Sequence, residues 1–309
     1  MTASDWRTTT GGRVRWRLVR CGPDAQLQWD LWIGHGSSDP EATPLKVSRC
    51  EEGKPILERE PPMDFTRLTE VHSKDGHVVP AYLLRPPSPA AGVAIAHGYG
   101  GCKEHMLGLA ARVAETGLAA CVFDIRGHGE HPAALDPAML QDLEAILNFL
   151  RRFGRVAAAG HSLGGRLALM SSADAVVAIS PALPQRPSEE GRAMLMHFGS
   201  TAVRARHPGE IMEILRAMPL PPVVARPTLL LHAEGDIPSL IEATRASAAA
   251  MPSAHIQVIS QHQHRSAELP ASLLAYLPRW FNHIDLKANA ELYVRVPAWL
   301  AGRLQEEVK

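Results

Sequence analysis

At residues 160–165 the chain reads Gly-His-Ser-Leu-Gly-Gly, with the apolar run Val156–Ala159 in front and the helical pattern Arg166–Met170 behind. A G-x-S-x-G pattern between a strand and a helix describes a turn too tight for side chains two residues before and after the serine. Such a turn lifts Ser162 Oγ above the sheet edge, where it can attack an acyl carbon, and the helix start behind it favours negative charge. A serine hydroxyl is a weak nucleophile at neutral pH, so it needs a base and a group to orient that base. Two later strand exits offer them. The run Pro227–His232 leads into Ala233-Glu234-Gly235-Asp236, which makes Asp236 the expected acid, with Glu234 as the fallback. The run His255–Ser260 leads into Gln261-His262-Gln263-His264, which makes His264 the expected base, with His262 as its rival. The tetrahedral oxyanion needs donors as well. The segment His97-Gly98-Tyr99-Gly100-Gly101 follows the run Gly92–Ala96, and the expected donors are the backbone amides of Tyr99 and Leu163. The Tyr99 phenol is a further candidate.

These groups lie far apart in the sequence, so a sheet must bring them together. From about residue 76 to 282, short apolar runs (92–97, 118–124, 155–160, 175–180, 227–232, 255–260) alternate with segments of helical spacing. That alternation implies a mainly parallel sheet covered by helices on both faces. The segment 103–117 has helical periodicity, and 136–153 does too, opening on Asp136-Pro137 as cap and first residue. Residues 65–72 and 77–85 flank Ser-Lys-Asp-Gly, the pattern of a hairpin that adds an antiparallel edge. The stretch 184–225 interrupts the alternation with prolines and two short helical patterns, well placed to cover a site at the strand ends. An adaptable acyl pocket lined by Met194, Met196, Met212 and Met218 is the expectation for this lid.

Taken together, HGYGG (97–101), DIRGHGE (124–130), GHSLGG (160–165), HAEGD (232–236) and the His264 segment resemble the alpha/beta hydrolases over residues ~65–282. Each motif is weak alone, but their order and spacing are specific. The resemblance implies an eight-stranded, mostly parallel α/β sheet, a Ser-His-acid triad and no cofactor. It also implies a serine hydrolase cleaving a carboxylic ester or similar acyl bond. A thioesterase or acyltransferase working on a carrier-bound chain, a C–C bond hydrolase or a peptidase would use the same triad. A ligand-binding member of the fold without chemistry is the alternative of another class. Three positions depart from the usual family pattern: Ala233 and Gln263, where glycine is common, and His131, where serine is frequent.

The domain expectation is a β-rich extension over 1–60, a hydrolase core over 61–285 with its lid, and a separate tail over 286–309. The extension contains VRWRLVR and QLQWDLW split by Cys-Gly-Pro-Asp, and the tail ends in an amphipathic segment opening at Pro297. Both are candidates for a homodimer contact. Gly34-His35-Gly36-Ser37-Ser38 echoes an active-site string but lacks the strand–helix setting, and reads as a surface turn. Basic and acidic residues balance at 32 each among 309 residues, which argues against a nucleic-acid surface built on bulk charge. The pair His262-x-His264 has no third ligand cluster, so no metal site is expected. No leader pattern and no run of ~20 apolar residues stands out. Four scattered cysteines read as reduced thiols, so a cytoplasmic protein acting on a small acyl substrate is the expectation.

Overall fold

Strands buried on both faces must be apolar throughout, and five of the six alternating runs of this chain become such strands; the sixth, 255–260, forms an edge strand whose Ile256 and Val258 are exposed. The computed structural model describes residues 7–8, 14–21, 26–33, 45–48, 63–260, 283–284 and 286–305. The chain divides into two compact units, 1–60 and 61–309. In the first, β1 (Arg7–Thr8), β2 (Val14–Cys21), β3 (Gln26–Ile33) and β4 (Leu45–Ser48) pair antiparallel in sequence order. The register Cys21↔Gln26 to Val14↔Ile33 makes β2 and β3 a full-length hairpin.

The second unit carries eight strands: β5 (Asp64–Leu68), β6 (Ala81–Arg85), β7 (Gly92–Ala96), β8 (Ala119–Phe123), β9 (Val156–His161), β10 (Ala175–Ile179), β11 (Thr228–Ala233) and β12 (Ala254–Ile259). Their order is β12-β11-β10-β9-β7-β8-β6-β5, with β5, β6 and β8 joined antiparallel and the rest parallel. Every residue of β7 to β11 is buried. The crossovers are α1 (Leu107–Ala114), α2 (Met139–Leu150), α3 (Leu163–Met170) and α6 (Pro238–Ala250). The lid, between β10 and β11, is built from α4 (Glu189–Thr201) and α5 (Glu210–Ala217). Because β7 pairs with β8 on one side and β9 on the other, the sheet reverses its winding there. The crevice outside the strand ends at such a switch point is where ligands bind.

Three expectations are corrected. Helix α2 starts at Met139, because the Asp136 carboxylate is taken by Arg126 and by the Ala138 amide instead of capping a helix. The terminal helix α7 runs Ala290–Gln305 and holds Pro297 inside it, where an amphipathic segment starting at Pro297 was expected. Nor is 286–309 a separate tail. Leu292, Val296, Leu300 and Leu304 recur every fourth residue and are buried, each contributing about 2 kcal/mol of hydrophobic stabilisation. The helix lies against α1 (a Cβ on Gly108 would collide with the Tyr293 phenol), and Arg155 donates to the Arg303 carbonyl at 2.8 Å. The apolar stripe of the tail is thus buried within its own unit.

Candidate active site

Strand β9 ends in the turn that carries Ser162, and steric limits dictate that turn. A Cβ on Gly160 would overlap the Gly164 carbonyl, and one on Gly164 would stand 2.5 Å from the Ala96 carbonyl oxygen. Only glycine fits either place. Ser162 itself adopts φ 54°, ψ −112°, a conformation that costs a non-glycine residue on the order of 1–3 kcal/mol and clusters at functional sites. Its amide donates to the Ile179 carbonyl at 2.8 Å, and its carbonyl accepts from the Ala182 amide at 2.9 Å. These bonds hold the strained turn to the end of β10.

Asp236 follows β11 and is 2% exposed. One carboxylate oxygen accepts the Ile237 amide at 2.7 Å, and the other accepts the Ser180 hydroxyl. Ser180, at the end of β10, also has a positive φ of 44°, which turns its hydroxyl to the acid. Burial opposes ionisation of Asp236, yet the nearby His283, the Ser180 hydroxyl and the Ile237 amide together hold its carboxyl below the usual range.

The histidine that joins the two is His283. Its Nδ1 stands 3.0 Å from Asp236 Oδ1 and its Nε2 stands 2.9 Å from Ser162 Oγ. A carboxylate can only accept, so Nδ1 carries the proton and Nε2 is left with its lone pair toward the serine hydroxyl. This corrects the expectation of His264. His264 and His262 lie outside the described residues, as does Gly34–Ser38, and the position between Ser162 and Asp236 belongs to His283. Glu234, the fallback acid, is exposed, while Asp236 is buried beside the imidazole.

The loop after β7 borders the same space. A Cβ on Gly98 would lie 3.2 Å from Ser162 Cβ, so the backbone approaches the serine closely only because the residue is glycine. The Gly98 carbonyl accepts from His97 Nδ1 at 2.8 Å and from the Gly101 amide at 2.9 Å. In a trans peptide the N–H points opposite to the C=O, so the Tyr99 amide faces away from these donors. Leu163 opens α3, where an amide has no partner within the helix. The Tyr99 side chain, by contrast, is buried. It packs edge-on against His128 at 5.4 Å and in the main core. Burial, then Glu210, raises it to about 12.

His97 Nε2 accepts the Ile125 amide at 3.1 Å, so both ring nitrogens are committed in the neutral form. Burial, more than any other cause, lowers His97 to about 3 and His128 to about 3. A histidine held neutral in the fold binds its proton in the unfolded chain first, so stability falls as pH drops from about 6.5 toward 3. Each contributes at most ~1.4 kcal/mol per pH unit. Urea titration at pH 5 should give an unfolding free energy at least about 2 kcal/mol below that at pH 7. Equal midpoints and slopes at both values would contradict neutral burial.

A pocket opens above Ser162, with a cavity of about 40 Å³. Its wall is mostly apolar: Met194 and Leu195 from α4, Leu215 from α5, and Ile237 and Leu240 at the start of α6. Of the four expected methionines, only Met194 lines it. Met196 is 41% exposed, and Met212 and Met218 pack against the main core instead. Behind the wall, fully buried Arg166 of α3 donates to the carbonyls of Ala182, Leu215, Met218 and Pro219, tying the lid's base to the helix that starts at the serine. Among the described residues, no group of three or more His, Cys, Asp or Glu side chains is arranged to hold a metal ion. No described helix is long and apolar enough to cross a membrane.

Residues 93–304 match the alpha/beta hydrolase family, and the chain belongs to that family. Among solved structures it is similar to an esterase from Pyrococcus furiosus, at 16% identity and a TM-score of 0.56 over 78% of this chain and 92% of that one. It is also similar to an esterase from Pyrobaculum calidifontis, at 19% identity and a TM-score of 0.53 over 78% and 85%. A third is a malate-bound thermophilic esterase from Thermogutta terrifontis, at 17% identity and a TM-score of 0.50 over 77% and 98%. No curated protein matches the chain.

Proposed function

We propose that this chain is a serine hydrolase that cleaves a carboxylic ester, or a chemically similar acyl bond, through an acyl-enzyme. The observation that carries the reading is the continuous relay from Ser162 through His283 to Asp236. Ser162 Oγ attacks the acyl carbon as His283 Nε2 takes the hydroxyl proton, and Asp236 stabilises the imidazolium so formed. The oxyanion is received by the Tyr99 and Leu163 amides, each such donor being worth roughly 3 kcal/mol in the transition state. Collapse breaks the bond to the leaving group, which departs with the proton from His283. Water, deprotonated by the same Nε2, then attacks the acyl-enzyme; the bond to Ser162 Oγ breaks, His283 returns the proton to Oγ, and the carboxylic acid leaves. The apolar wall formed by Met194, Leu195, Leu215, Ile237 and Leu240 suits an acyl chain better than a charged group. Cys102 and Cys121 are free cysteines, and burial first raises both, Cys102 to about 12. Unreactive thiols of this kind fit the reducing cytoplasm, where we place the protein.

A fluorophosphonate should label the wild-type chain at Ser162, seen as a mass shift on the peptide that contains it, and Ser162→Ala should take no label. Folded wild-type protein that stays unlabelled would remove the reading. A panel of p-nitrophenyl esters, acyl thioesters and aminoacyl amides, compared by kcat/KM, then assigns the leaving group.

A further inference from the structure

One buried histidine beside the relay has no part in the proton transfers described above. His161, between Gly160 and Ser162, is 4% exposed. Its Nε2 lies 2.8 Å from the main-chain carbonyl of His283. A carbonyl can only accept, so Nε2 carries the proton and donates it. The two imidazole rings stand 4.7 Å apart, tilted by 42°. On its other side, His161 Nδ1 lies where a Cβ on Gly98 would come within 2.9 Å, so the ring fills the space between the loop after β7 and the segment that carries His283.

We propose that His161 is a positioning residue for the hydrolase reaction, holding the His283 backbone through its Nε2–H so that the His283 imidazole stays in line with Ser162 Oγ. The inference rests on reading Ser162 and His283 as nucleophile and base. The side-chain bonds to Asp236 and Ser162 orient the ring of His283, but they do not fix the backbone from which it projects. His161 does, from the residue next to the nucleophile, so serine and base share one anchor at the rigid end of β9. Burial and the neighbouring His283 keep His161 well below its ordinary value. The ring therefore stays neutral, adds no second cation when His283 becomes an imidazolium, and keeps Nδ1 unprotonated against the glycine loop.

Two substitutions test this. His161→Leu fills the space but cannot donate. His161→Gln places an amide N–H near the position of Nε2. Fluorophosphonate labelling and hydrolysis of a short p-nitrophenyl ester are measured for both, with thermal melting as the control for folding. The leucine variant should lose about 10- to 100-fold in labelling rate and in kcat, the scale expected when a reacting group is misplaced by about 1 Å. Its KM should stay within about twofold, since His161 does not line the pocket. The glutamine variant should recover most of the loss. Should the leucine variant not fold, His161→Asn, whose shorter amide cannot reach the carbonyl, takes its place with the same expected loss. Wild-type labelling by the leucine variant, or equal impairment of the donating and non-donating variants, would overturn the proposal. Those outcomes differ from the failure of the hydrolase reading itself, in which the wild-type chain takes no label at all.

Discussion

His283→Ala should lower kcat by roughly 10⁴-fold or more while the protein remains folded. Without this imidazole, Ser162 has no acceptor for its proton at the moment of attack, and the leaving group has no donor. What remains is binding in the apolar pocket and whatever the oxyanion donors contribute, enough for residual turnover above water. The fold should survive because the Asp236 carboxylate keeps the Ile237 amide and the Ser180 hydroxyl as partners. The stability loss is then that of one hydrogen-bonded buried pair, about 1–3 kcal/mol. Initial rates on a p-nitrophenyl ester and the rate of fluorophosphonate labelling both report the effect, and His264→Ala is the informative comparison. Near wild-type rates for His264→Ala alongside collapse of His283→Ala assign the base. The reverse pattern would sink the assignment, and with it the geometry of the relay.

The positions of Ser162 and Asp236 at the sheet's rim are legible in the chain because each follows its strand at once. A strand's direction and length place the next few residues well, so GHSLGG after β9 and AEGD after β11 land at the sheet's rim by construction. The same logic failed for the histidine. The strand-exit rule points to His264, whereas His283, the histidine in contact with Ser162 and Asp236, comes well past the end of β12 and shortly before α7. Nothing in strand periodicity carries information over such a gap. The available clue was a lone histidine just upstream of a helical repeat, Leu292, Val296, Leu300 and Leu304, which has to return to the core.

The lid shows a different limit. Methionine's adaptable side chain suggests a pocket lining, but a helix buries side chains by phase. On α4, Gly191, Met194 and Leu195 form one stripe and face the pocket, while Met196 falls on the opposite side. On α5, Leu215 faces the pocket, and Met212 packs against the core. Composition located the lid, but only the contacts of two short helices decide which of its residues touch the substrate space.

Asp142→Ala should destabilise the protein by about 3–5 kcal/mol, the cost of leaving a buried charge without its partner. Asp142 on α2 and Arg126 in the loop after β8 both have fully buried side chains. The carboxylate accepts from the guanidinium at 2.7 Å and 3.0 Å and from the Arg126 amide at 3.0 Å. Asp75 and Asp136 also meet this guanidinium, but both are partly exposed. The loop braced in this way supplies the Ile125 amide to His97, which in turn fixes the Gly98 peptide at the nucleophile. Loss of the pair should therefore reach the site, lowering kcat below the denaturation midpoint as well as shifting that midpoint. Arg126→Met should cost a similar amount, because the buried Asp142 then loses its guanidinium and keeps the His131 imidazole, 3.4 Å away. The double variant Arg126→Met/Asp142→Leu should be more stable than either single one, since removing both charges removes the desolvation cost along with the attraction. Urea titrations of the three variants check this. Single losses below about 1 kcal/mol, or strictly additive losses in the double variant, would mean that the pair behaves like a surface salt bridge and that the nucleophile loop gets its order elsewhere.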